Sequence, residues 1–147
     1  MPARHAVKPY RADCYYHVFN RGAHKAPVFL DEEDYQKFYD LTWRYARKHG
    51  VEIIVFVFLP NHFHFVLLQS GERSMVEFMR SLCIRYVLYF RKKYEHSGQL
   101  FQGRYKAVWL NGEARVQRAI EYVLNNPAAA GYTNWRWVGY FKDFRKK

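Results

Sequence analysis

The sequence has little sulfur chemistry to offer. Its two cysteines, Cys14 and Cys83, stand far apart and form no CxxC pair, which argues against a disulfide framework or a cysteine-based zinc site. Long apolar runs are missing as well. The longest, Ile53 to Pro60, is strand-sized and well short of the about 18 residues a membrane-spanning helix needs. The opening residues MPARHAVKPYRADCYY lack the apolar core of a signal peptide, so a soluble, cytoplasmic protein without a membrane partner is expected. No Walker A ending follows the spaced glycines of Gly98–Arg104, and no GxSxG or HExxH motif occurs. Acidic residues are scarce: 13 Asp and Glu against 24 Lys and Arg leave a net charge of +11. Such an excess suits a polyanion, nucleic acid before an anionic membrane.

What is present is apolar and aromatic. Half of the residues are hydrophobic, which excludes a disordered chain, and 20% are aromatic. Aromatic side chains fill cores, but they also stack on unpaired bases. With 147 residues and no repeat, linker or low-complexity tract, the chain reads as one domain, 1–147, with a flexible basic arm over 1–11. Strand character is expected over 14–20, 51–59, 62–69 and 105–110. Helices are expected over about 35–49, about 74–94, and from near Glu113 to near Asn126, where Pro127 disfavours helix for the residue before it. The order β-α-β-β-α-β-α predicts an α+β, ferredoxin-like antiparallel sheet with helices on one face, plus a C-terminal helix.

His62-Phe63-His64 is the sharpest local feature. On a strand, residues two apart point to one face, so both imidazoles project together while Phe63 and Phe65 point the other way. This is compatible with two surface histidines of an edge strand and with a pair of metal ligands. His17 on the first strand is a possible neighbour. An oxygen donor would complete a mixed site suited to Mg²⁺ or Mn²⁺ handling a phosphate, although imidazole also accepts Zn²⁺.

The third helix carries its apolar residues Val116, Ala119, Ile120, Val123 and Leu124 toward one side. Tyr122 falls roughly 120° from Val116, and Asn126 follows one turn later on the same face. Arg115 and Arg118 share that stripe. It reads as an exposed helix face or as a phosphate site. From Ser74 to Leu110, the basic Arg80, Arg85, Arg91, Lys92, Lys93, Arg104 and Lys106 interleave with tyrosines and phenylalanines, as in a nucleic-acid-binding element.

Four segments together resemble one family. YYHVFNRG (15–22), LPNHFHFVLL (59–68), GQLFQGRYKA (98–107) and YVLNNPAAAGY (122–132) occur in the order found in the single-tyrosine HUH transposases, the IS200-like group. The sequence looks most like their REP-associated branch. The resemblance implies His62, His64 and Asn126 as ligands of a divalent metal, Mg²⁺ or Mn²⁺, and Tyr122 as the nucleophile. It implies cleavage and rejoining of single-stranded DNA at hairpin-flanked sites through a 5′-phosphotyrosine link, by a monomer or a homodimer. Arg80, Arg85, Lys92, Arg104, Lys106, Arg115 and Arg118 are then the candidate DNA contacts. The chain departs from many relatives at Arg91, where they carry Asn. A non-catalytic single-stranded nucleic-acid-binding domain, or a metal-dependent phosphodiesterase without a covalent intermediate, would suit the same residues.

Overall fold

The structure, a computed structural model, describes residues 10–141. Most of the arm expected over 1–11 lies outside them. Tyr10 and Arg11, which lie inside, are tied to the sheet. The Arg11 guanidinium lies 4.1 Å from the centre of the Trp109 ring, and its backbone N–H donates to the Tyr16 hydroxyl (2.8 Å).

The elements run β1 (Cys14–Arg21), α1 (Glu32–His49), β2 (Val51–Leu59), β3 (His62–Gln69), α2 (Ser74–Tyr94), β4 (Lys106–Leu110), α3 (Glu113–Ala129) and β5 (Val138–Tyr140). A short 3₁₀ turn, Ala23–Lys25, follows β1. The five strands form one antiparallel sheet in the order β4-β1-β3-β2-β5. The ferredoxin-like arrangement is therefore present. The three-residue β5 at the edge carries too short a pattern to be read from sequence.

Local chemistry sets the boundaries. Asp31 caps α1 by accepting from the Asp34 backbone N–H (3.0 Å), and Gly50 ends it in the left-handed conformation at φ 72°. The aromatic and aliphatic side chains of α1 and α2 bury the sheet face made by Tyr16, Val18, Phe56, Phe58, Phe63, Phe65 and Leu67. The buried side of α2 is Met75, Phe78, Met79, Leu82, Tyr86 and Phe90; Val76, Cys83 and Val87 sit half-buried at its margin.

The helix α3 lies on the opposite face. Its Ala119, Ile120 and Val123 pack with Val55, Val57, Leu59, Val66 and Leu110. The unbroken apolar run of β2 follows from this: both faces of the strand are covered, and a register shift between Ile53 and Val55 rearranges which residues face which layer.

α3 does not stop near Asn126. It runs on to Ala129 with Pro127 inside it. Proline costs one helical hydrogen bond, but only in the last turn. There Pro127 is buried, and its carbonyl accepts from Ala130 (3.0 Å) and Tyr132 (2.9 Å). Packing outweighs the local preference, and Asn126 stays on the helix.

Candidate metal and nucleic-acid site

The β2–β3 hairpin brings His62 to the start of β3, directly after the turn at Pro60-Asn61. Three backbone contacts fix that turn. The Pro60 carbonyl accepts from Val28 (2.7 Å) and Phe29 (3.2 Å), and the Asn61 carbonyl accepts from Gly22 (2.9 Å). Glycine at 22 also lets the 3₁₀ turn fold back against it: a Cβ there would lie 2.0 Å from the Ala26 carbonyl oxygen.

Strand alternation then places His62, His64 and Val66 on the α3 side, and Phe63, Phe65 and Leu67 in the core under α1 and α2. β1 pairs with β3 so that Phe19 lies opposite His64 and His17 opposite Val66. The Phe19 ring stacks on His64 at 5.2 Å, and the His17 ring lies edge to edge with it, centres 5.1 Å apart. His17 Nε2 and His64 Nδ1 are 2.9 Å apart. From above, α3 brings Tyr122 edge-on to both rings, 5.6 Å from His64 and 5.7 Å from His17. Asn126, one turn further on, sets its Oδ1 3.1 Å from His62 Nε2. The four residues on β3 and α3 thus converge on one spot, joined by His17 from β1.

Protonation follows from these contacts. The Asn61 Nδ2 group donates to the Lys25 carbonyl (3.3 Å), which turns its Oδ1 toward His62 Nδ1 (2.8 Å). His62 Nδ1 must therefore carry a proton and donate it. The other ring nitrogen then meets the Asn126 oxygen. Two lone pairs at 3.1 Å need a proton or a cation between them. His64 is only 7% exposed. Burial, with repulsion from His17 and His62 added, pushes its pKa down to about 3, and burial pushes that of His17 down to about 4. Both rings are thus neutral at physiological pH and keep a lone pair, as a metal ligand must.

The donor set fits a small divalent cation. Among the described residues no three His, Cys, Asp or Glu side chains are placed so that together they could hold a metal ion. The Asn126 amide oxygen is the further donor at hand beside the two imidazoles. Ligands at about 2.0–2.1 Å from a six-coordinate ion lie about 3 Å apart along an edge, which matches the separation of His62 Nε2 and Asn126 Oδ1. Imidazole plus oxygen donors suit Mg²⁺, Mn²⁺ or Zn²⁺ rather than Ca²⁺.

A cleft of about 520 Å³ opens beside the histidines, lined by Phe19, Asn20, Arg21, Lys25, Asn61, His62, His64, Gln102, Arg104 and Lys106. It contains four cations and no carboxylate, and none of the four is in an ion pair with a described acidic residue. Uncompensated positive charge around a polar cleft favours an anion such as phosphate. The cleft's outer wall is the 98–104 loop, clasped to β1. Gln102 N–H donates to the Arg21 carbonyl (2.9 Å), Arg21 Nε donates to Gln102 Oε1 (2.5 Å), and Asn20 Nδ2 donates to the Gly103 carbonyl (3.0 Å). Arg91 holds the same loop from α2 by donating to the Gly98 carbonyl (2.7 Å).

The basic residues singled out from sequence divide by location. Arg104 and Lys106 line the cleft. Arg115 and Arg118 are exposed on α3, on the stripe of Tyr122, itself 54% exposed. Arg80 sits on α2 and lines a neighbouring groove that shares Asn20 and Arg104 with the cleft. Arg85, which donates to the Tyr45 hydroxyl (3.2 Å), and the exposed Lys92 lie on α2, across the sheet from the histidines. Arg21, Lys25 and Gln102 escaped notice in the sequence. The β1–loop pairing that brings Arg21 to Gln102 joins residues about eighty apart, and Lys25 stands on the short turn after β1.

Residues 10–126 match the family described as "Transposase IS200 like". Solved structures share the fold. A REP-associated tyrosine transposase bound to a REP hairpin superimposes with a TM-score of 0.69 at 14% identity, over 90% of this chain and 80% of that one. A candidate transposase from Deinococcus radiodurans R1, in a crystal structure, gives a TM-score of 0.56 at 16% identity, over 82% of this chain and 95% of that one. No curated protein matches. Among the described residues no helix is long and apolar enough to cross a membrane.

Proposed function

The chain belongs to the IS200-like transposase family, and from that premise we propose that it cuts and rejoins single-stranded DNA through a covalent link to Tyr122. The observation that carries this reading is the convergence of two helix residues on two strand residues. Tyr122 stands edge-on to His64 while Asn126, one turn on, meets His62.

In the proposed reaction the Tyr122 phenolic oxygen attacks the scissile phosphorus in line. The bond from phosphorus to the 3′ oxygen breaks as the tyrosyl ester forms. The phenol's proton passes to solvent, the departing 3′ oxygen takes one up, and the 5′ phosphate remains on Tyr122. Rejoining is the reverse, with an incoming 3′-hydroxyl as nucleophile, so the energy of the phosphodiester is conserved. His62, His64 and Asn126 would hold a divalent cation, Mg²⁺ or Mn²⁺, whose contribution when bound is to polarise the phosphate.

The protein's own part is positioning. Arg21, Lys25, Arg104 and Lys106 neutralise the strand's phosphates beside the histidines, while Arg115 and Arg118 do so along α3. Phe19 offers an aromatic face within the cleft for an unpaired base. The DNA substrate we propose is a hairpin flanked by single strand, by analogy with the REP-associated relative of like fold, and the protein acts on it as a monomer or a homodimer.

The test is direct. Single-stranded hairpin oligonucleotides are incubated with the protein and Mg²⁺ or Mn²⁺ and run on a denaturing gel. A DNA-linked protein band is expected, lost in Tyr122→Phe while binding stays within about twofold, since only a hydroxyl is removed. An adduct that survives the substitution moves the nucleophile elsewhere. Cleavage without any adduct supports a hydrolytic phosphodiesterase, and binding without cleavage a non-catalytic DNA-binding domain.

A further inference from the structure

His17 is drawn into the site by geometry that the proposed reaction does not yet use. It lies on β1, outside the histidine pair, yet its Nε2 comes within 2.9 Å of His64 Nδ1. Its ring lies edge to edge with His64 and nearly coplanar with it (27° between planes), packs on Phe19 at 5.0 Å, and meets Tyr122 at 5.7 Å.

We infer that His17 is a positioning residue that fixes the tautomer of His64. The inference rests on the reading of His62, His64 and Asn126 as a metal-holding set. A neutral imidazole has one N–H and one lone pair. At 2.9 Å one of the two ring nitrogens donates its N–H and the other accepts it. If His64 donated nothing at Nδ1, it would accept there, and its Nε2 would carry a proton pointing into the site. That arrangement cannot bind a cation. With His17 Nε2 as acceptor, His64 holds its proton at Nδ1 and turns the Nε2 lone pair outward.

The device parallels the one at His62. Asn61 accepts from His62 Nδ1 and leaves Nε2 facing Asn126. Each histidine of the pair thus has its Nδ1 taken by a neighbour from outside the site, one an amide oxygen and the other a second imidazole. An outer partner that orients a metal-binding histidine typically changes metal affinity by about 10–100-fold when removed. The same ring also props Tyr122, so one side chain sets the lone pair and limits where the phenol can swing.

The experiment has two arms on the full chain. In the first, ring-nitrogen NMR shifts of His64 are read in metal-free protein near pH 7, for wild type, His17→Phe and His17→Gln. The wild type should show the Nδ1–H form, and His17→Phe a shift toward Nε2–H. His17→Gln places an amide oxygen where Nε2 was and should restore the wild-type signature. In the second, Mn²⁺ alone is titrated into the same proteins and into His62→Ala. The affinity should fall about 10–100-fold in His17→Phe and recover most of the way in His17→Gln.

A wild-type His64 in the Nε2–H form overturns the inference, as does a His17→Phe protein with unchanged tautomer and unchanged Mn²⁺ affinity. Should His17→Phe fail to fold, His17→Gln against wild type and His62→Ala still decides. Loss of binding in His17→Gln equal to that in His62→Ala refutes an acceptor role. If Mn²⁺ binding is absent, or indifferent to His62→Ala, the metal reading itself fails and takes the inference with it. The NMR arm then shows whether the bond between the two rings persists as a purely structural one.

Discussion

Asp34 anchors the layer that supports the site from behind. Its carboxylate is fully buried near the start of α1 and accepts from the Leu30 backbone N–H (2.8 Å), the Tyr89 hydroxyl (2.7 Å), the Tyr94 hydroxyl (2.5 Å) and Lys93 Nζ (2.9 Å). These tie the beginning of α1 to the end of α2. Asp34→Ala takes the acceptor from two phenolic hydroxyls and one backbone donor at once, while Lys93 loses one of three carboxylates and keeps Asp31 (2.9 Å) and Glu33 (2.6 Å). Breaking a buried charged cluster from one side costs about 3–5 kcal/mol. Tyr89 and Tyr94 are only half-buried and can turn to water, which favours the lower end. With an m-value of about 2 kcal/mol/M in urea, the midpoint should fall by roughly 1.5–2 M. Burial alone would raise the Asp34 pKa, but the hydrogen bonds from Tyr94, Tyr89, Leu30 and Lys93 outweigh it and hold the carboxyl below its ordinary range. A lowered folded-state pKa stabilises the fold above the unfolded value of about 3.9, and that stabilisation is lost as pH falls through the folded-state value. The difference in urea midpoint between wild type and Asp34→Asn should therefore be constant from pH 7 to about 5 and shrink below about 4. A midpoint shift under about 0.5 M for Asp34→Ala, or a wild-type advantage that persists undiminished in acid, would refute the reasoning.

Asn126→Ala should weaken Mn²⁺ binding by about 10–100-fold or more, while Asn126→Asp, which adds a charge to the donor set, should tighten it; calorimetric titration checks both, and an unchanged Asn126→Ala protein removes Asn126 from the site. Arg104→Ala with Lys106→Ala should lower the slope of log affinity against log salt for a short unpaired oligonucleotide by about 0.7 for each phosphate that is no longer neutralised. Arg85→Ala with Lys92→Ala should leave that slope alone, because both residues stand across the sheet from the cleft; equal slopes for the two double variants would mean that the strand follows another path.

Much of this geometry is legible in residue patterns of short range. The period of two in His62-Phe63-His64 fixes which side chains share a face, and the helical period puts Tyr122 and Asn126 on one stripe away from the apolar side of α3. Both follow from backbone geometry within one element. The end of α3 is misplaced by sequence because a local rule about proline meets a burial that sequence does not display. The short strand β5 escapes because three residues carry no periodicity, and its pairing with Val55–Val57 joins segments about eighty residues apart.

The charge is harder to read than the histidines, and the reason is topological. Counting basic residues marks α2 and the loop after it as one continuous patch. The sheet divides that patch. α2 packs against the face of Phe63 and Phe65, whereas the loop returns through β4 to the edge beside β1 and delivers Arg104 and Lys106 to the face of His62 and His64. Only the crossing of α3 to that second face decides which cations stand near Tyr122. Arg80 is the intermediate case, since its groove shares Asn20 and Arg104 with the cleft and turns the corner past the 101–105 segment. A strand lying in the cleft therefore has a charged continuation around the β4 edge toward α2. Arg85 and Lys92 can contribute only to nucleic acid long enough to make that turn, so their substitution should weaken binding of a long hairpin substrate and spare that of a short unpaired one.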